Sequence, residues 1–126
     1  MDYSGKNKKT LRKKTPRNKP SKHNLDMAVF LASCQELQVC KNIIKSADKS
    51  FINFIGELAL NLLQGNIDCQ KKYLESLAKR KSIIRQLASK RSSSKIRRSI
   101  CIKYPSLILL LLRATKIYLK THFMSK

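Results

Sequence analysis

The chain has no tryptophan, only three glycines and three prolines, and only seven acidic residues against 28 lysines and arginines. Scarce glycine and proline exclude a turn-rich β architecture, and they leave the Leu-, Ile-, Lys-, Ala- and Gln-rich middle to helix. Four cysteines, Cys34, Cys40, Cys69 and Cys101, form no C-x-x-C pair, and the two histidines, His23 and His122, stand near opposite ends. That spacing is poor for a zinc site, and the thiols are read as reduced, with neither metal nor disulfide expected. Met1 to Lys22 is basic and polar where a secretory leader or an anchor needs an apolar run.

Chemistry-bearing patterns are equally thin. The sequence contains no nucleophile elbow, no phosphate-cradling glycine loop, no paired carboxylates and no His-x-x-x-His. Asp48, Glu57 and Asp68 lie at or near expected helix starts or on a helix face, where capping and solvation account for them. A non-enzyme without cofactor or small-molecule substrate is expected.

What the chain has in abundance is positive charge, +21 in 126 residues, and this charge is segregated. Between Gln70 and Tyr104 twelve lysines or arginines face one carboxylate, Glu75, whereas the stretch from His23 to Cys69 is slightly acidic. Self-repulsion of this size works against a compact state and calls for a polyanionic partner, nucleic acid being the commonest. The chain is long enough for one domain at most, with a modest core.

Residues 1–23 are read as a disordered basic arm, because the cations among them, interrupted by Pro16 and Pro20, accompany too little apolar surface to offset the entropy of ordering. Lys8, Lys9, Arg12, Lys13, Lys14 and Arg17 are its candidate phosphate contacts, with nuclear import or simple solubilisation as other roles. Residues 24–104 are expected to form a helical domain. Apolar spacing predicts a first helix over about 25–45 with Asn24 as its cap and Asp26 in its first turn. A second, capped by Ser46 or Asp48, runs to a stop at Gly65.

A third helix of about twenty residues is expected from Asp68. Tyr73, Leu74, Leu77, Ile84, Leu87 and Ala88 form its stripe, while Lys71, Lys72, Lys79, Arg80, Lys81 and Arg85 occupy most of the remainder. Such a helix can lay its apolar side on the preceding hairpin and offer cations to phosphates. Lys90, Arg91, Lys95, Arg97 and Arg98 extend the cationic zone through Ser92, Ser93 and Ser94 into a short fourth helix, in which Lys95, Arg97 and Arg98 flank Ile96 and Ile100. Phosphorylation of those serines would cancel part of the charge. A helix–turn–helix over Leu60 to Leu87 is a separate option, but lysines surrounding much of a helix suit backbone contact better than base readout.

Tyr104-Pro105 ends that element, and residues 105–126 are set apart as a hydrophobic C-terminal helix. Leu107, Ile108, Leu109, Leu110, Leu111 and Leu112 run without interruption, but Arg113, Lys116 and Lys120 come too early for a membrane span. The run is therefore read as core or partner packing, or as an interfacial segment drawn to anionic lipid. The fold expected is all-α, a small hairpin or bundle of four to five helices behind a basic arm.

The order Ala47-Asp48-Lys49-Ser50-Phe51-Ile52, Asn61-Leu62-Leu63-Gln64-Gly65-Asn66-Ile67, Gln70-Lys71-Lys72-Tyr73-Leu74, Ile84-Arg85-Gln86-Leu87-Ala88 and Ser92-Ser93-Ser94-Lys95 resembles small basic proteins of Maverick/Polinton-type elements and adintovirus-like viruses of invertebrates. Cys101 to Pro105 departs from the glutamine- and glycine-containing turn usual there. The resemblance implies a virion core or minor capsid-like component in nucleus or virion, and the partners expected are nucleic acid, through its backbone, with an anionic membrane or a capsid protein beside it. Two alternatives stand beside DNA condensation: a membrane-active minor capsid-like protein, working at a membrane surface, and a diverged, non-functional relic of a mobile element.

Overall fold

Each helix is explained by where its apolar residues can go. The computed structural model describes residues 20–124, and among them every regular element is helical. In chain order these are α1 (Lys22–Ser33), α2 (Leu37–Ser46), α3 (Lys49–Leu63), α4 (Lys71–Ala78), α5 (Lys81–Ala88), α6 (Ser94–Lys103) and α7 (Pro105–Leu119). A π-helical turn, Lys120–Met124, continues α7. The all-α expectation is met, and the four to five helices become seven.

Both additional helices come from breaks within expected single helices. The run read as 25–45 divides at Cys34-Gln35-Glu36, because α1 packs chiefly along α7 whereas α2 lies against both α6 and α7. The run read from Asp68 starts at Lys71 and divides at Lys79-Arg80, since α4 rests on α7 while α5 fits between α3 and α6. No straight helix serves both neighbours. The break turns Leu74 away from the core, 46% exposed, while Leu77, Ile84, Leu87 and Ala88 stay buried.

Local signals fix several boundaries. Asp48 caps α3, its carboxylate accepting from the Phe51 N–H at 2.9 Å, and Gly65 closes the same helix at φ +77°, a conformation other residues resist. Pro105 opens α7 at its first turn, where a missing N–H costs nothing. The cap of α1 is Ser21 rather than Asn24, with the Asn24 N–H donating to Ser21 Oγ at 3.1 Å. Asn24 lies inside the helix, buried, and its amide donates to Ser50 Oγ at 2.9 Å. Asp26 is past the first turn and pairs with Lys22.

The core gathers Phe51, Ile52 and Ile55 of α3 with Leu31, Ile44, Ile84 and Leu87, and α7 contributes Ile108, Leu111, Leu112 and Leu119. Thus α7 is part of the same core as α1–α6 rather than a segment set apart at residue 105. Its buried Thr115 stays satisfied by donating its hydroxyl back to Leu111 O at 3.0 Å. Lys22 and His23, read as the end of the arm, belong to α1, and residues 1–19 of that segment lie outside the described residues.

Candidate nucleic-acid interface

Along α4, α5, α6 and the turns between them most apolar residues face inward, and nine of the expected cations are exposed: Lys71, Lys72, Lys79, Arg80, Lys81, Arg85, Lys90, Arg91 and Lys95. Among the described residues the one ion pair joins Lys22 and Asp26 at 3.0 Å, so none of the nine is neutralised by a described carboxylate. Neither α4 nor α5 has a side-chain cap or an acid in its first turn. Their N-termini therefore add positive potential to the lysines around them. Lys8, Lys9, Arg12, Lys13, Lys14 and Arg17 lie outside the described residues.

Two expected contacts are committed elsewhere. Arg97 turns inward and spends its whole fork on the protein: Nε donates to Leu87 O at 3.0 Å, Nη1 to Asn53 Oδ1 at 2.9 Å and Nη2 to Ser89 O at 2.8 Å. It ties the C-terminus of α5 to α3, satisfying carbonyls that the helix leaves open. Arg98 donates from Nη1 to Ile44 O and Lys45 O, both at 3.2 Å, closing the last turn of α2. These bonds set the register of α6. Ile100 and Cys101 are buried and Arg97 faces inward with them, while Ile96 is 43% exposed.

Arg113 does for α1 what Arg98 does for α2, donating from Nε to Ala32 O at 3.1 Å and from Nη2 to Cys34 O at 2.9 Å. Lys116 adds a contact to Ser33 Oγ at 2.9 Å. Three arginines thus cap three helices from afar, with charge-assisted bonds stronger than neutral ones. In the sequence they looked like any other cation.

Gly56 is what admits Arg97. A Cβ there would stand 2.8 Å from Arg97 Nε and 3.1 Å from Leu87 O, so α3 approaches α5 through a position without a side chain. One turn past Asn53, partial burial raises the Glu57 carboxyl above its ordinary range, and the Arg97 charge pulls it back. Replacing Arg97 with methionine, which keeps the length and removes the donors, is expected to cost about 2–3 kcal/mol by stranding three acceptors. Arg97→Lys should recover little of it, because an ammonium cannot fork. Urea midpoints at constant m-value check both.

Ser93 caps α6, accepting from the Ile96 N–H at 3.2 Å, and Ser92 donates to Gln86 O at 2.7 Å. Of the six residues Leu107 to Leu112, five are buried and Leu110 is half-buried. A membrane-interfacial role would need α7 to leave the bundle, and no helix among the described residues is long and apolar enough to cross a membrane. Burial pushes the Cys101 thiol up to about 12 against the pull of Arg98. Burial, then the neighbouring Cys34, raises Cys40 to about 11. Among the described residues no group of three or more His, Cys, Asp or Glu is placed to hold a metal.

No protein-family profile, curated protein or solved structure matches the chain.

Proposed function

We propose that the protein is a non-enzymatic, sequence-independent nucleic-acid-binding and condensing protein, gripping phosphates through α4, α5 and the turn into α6. The observation that carries the reading is the set of nine exposed cations on consecutive elements with no described carboxylate paired to them. Ordinary protein surfaces intersperse both signs, whereas this one holds Glu75 alone among its bases. Lysine-rich helices without a groove-shaped presentation of Arg, Asn and Gln suit the phosphate backbone, which carries affinity but no sequence. The resemblance to Maverick/Polinton-type basic proteins adds a setting, a viral or transposon particle or the nucleus in which its DNA is handled.

Backbone binding has a direct signature. Affinity for two duplexes of unrelated sequence should be equal within a few-fold and should fall steeply with salt, since each neutralised phosphate contributes a slope of about −0.9 in log affinity against log salt. Anisotropy titrations from low to physiological ionic strength check this. A shallow slope, a strong preference for one duplex, or no binding at low salt overturns the proposal.

A further inference from the structure

Two cations from distant parts of the chain converge on one aromatic ring. Arg80, at the break between α4 and α5, places its guanidinium 5.8 Å from the centroid of Tyr104, and Lys103, at the end of α6, places its ammonium 5.5 Å from the same centroid. Neither is paired to a carboxylate among the described residues. The ring's π-cloud offsets only part of the repulsion between them. Tyr104 is half-buried, and among the described residues its phenolic hydroxyl has no protein hydrogen-bond partner. Its backbone is fixed as the joint between α6 and α7, with its N–H donating to Ile100 O at 2.9 Å and Pro105 following. The ring is therefore held in place by backbone and by packing against the core, and the residue keeps part of its surface exposed.

A second pairing of the same kind lies on α4, where Lys72 Nζ stands 5.2 Å from the centroid of the half-buried Tyr73. Because α4 packs on α7, the cationic zone carries its aromatics on neighbouring elements. Phosphate contacts need cations alone. An aromatic among those cations adds something a duplex cannot use, a flat face for an unstacked base, and such combinations bind single strands without reading sequence.

We propose that Tyr104, flanked by Arg80 and Lys103, seats an unpaired base of single-stranded nucleic acid while the two cations hold the adjoining phosphates. The inference rests on the nucleic-acid reading and narrows its ligand to strands with accessible bases, DNA or RNA.

The test uses the full chain and labelled 20-mers of oligo(dT), oligo(U), an abasic strand of equal charge and a duplex. Parent protein should bind the base-bearing strands about ten-fold more tightly than the abasic one, in the range one stacked base supplies. Tyr104→Leu should abolish most of that ratio, and Tyr104→Phe should preserve it. With no tryptophan in the chain, tyrosine fluorescence quenched by oligo(dT) but not by the abasic strand reports stacking in the parent even where a variant fails to fold. Equal affinity for base-bearing and abasic strands, or an unchanged ratio in a folded Tyr104→Leu, overturns the stacking seat while leaving phosphate binding intact. Absence of binding to every strand overturns the broader reading.

Discussion

Changing Lys71, Lys72, Lys79, Arg80, Lys81 and Arg85 together to glutamine is expected to lower duplex affinity on the order of a thousand-fold at low salt, and to flatten the salt dependence by a slope of roughly five. All six are exposed and none is paired to a described carboxylate; the approaches of Arg80 to the Tyr104 ring and of Lys72 to the Tyr73 ring are weak contacts at the surface. Stability should stay the same or rise, because the variant removes self-repulsion from a chain of net charge +21. The variant thus separates the surface from the scaffold. Anisotropy titrations in parallel with thermal melts check both halves, and a binding loss accompanied by a lower midpoint would assign these cations to the fold instead of the ligand.

That separation could not be made from the sequence, in which the capping arginines and the exposed cations share one composition. Helix content was legible because apolar residues recur at helical spacing and breakers are few. Asp48, Gly65 and Pro105 were legible because each acts on backbone within a few residues of itself. The breaks at Cys34 to Glu36 and at Lys79-Arg80 carry no glycine or proline. One is stabilised by Arg113, some eighty positions downstream, and the other by the divergent docking of α4 and α5. Tertiary partners override local pattern at such points.

Arg97 shows the same limit in sharper form. Its neighbour Ile96 is the better candidate for the core by hydropathy, yet the carbonyls at the end of α5 need donors and the notch at Gly56 admits a guanidinium. Hydrogen-bond demand decides the register of α6. Ile96 is left half in water as a consequence, a cost of one partly exposed aliphatic against three charge-assisted bonds. Ser92 and Ser93 are drawn into the same junction, so their hydroxyls already serve α5 and α6.

Truncating Leu111 or Leu112 to alanine is expected to cost about 3–5 kcal/mol in each case. Both side chains are fully buried, on the helix that touches α1, α2, α3, α4 and α6, so the space left behind borders rigid neighbours on several sides and cannot collapse well. For a domain of this size, such a loss approaches the whole of its folding free energy. Leu110→Ala, at the half-buried position of the same run, should cost less than about 2 kcal/mol, and Leu110→Gln should leave a folded protein. Denaturant titrations of the variants check the order. Losses below about 1 kcal/mol at Leu111 and Leu112 would mean that the leucine run is not what holds the bundle together. The run would then be free for a lipid interface, and dye release from anionic vesicles, lost on truncating those leucines, would be the result that follows.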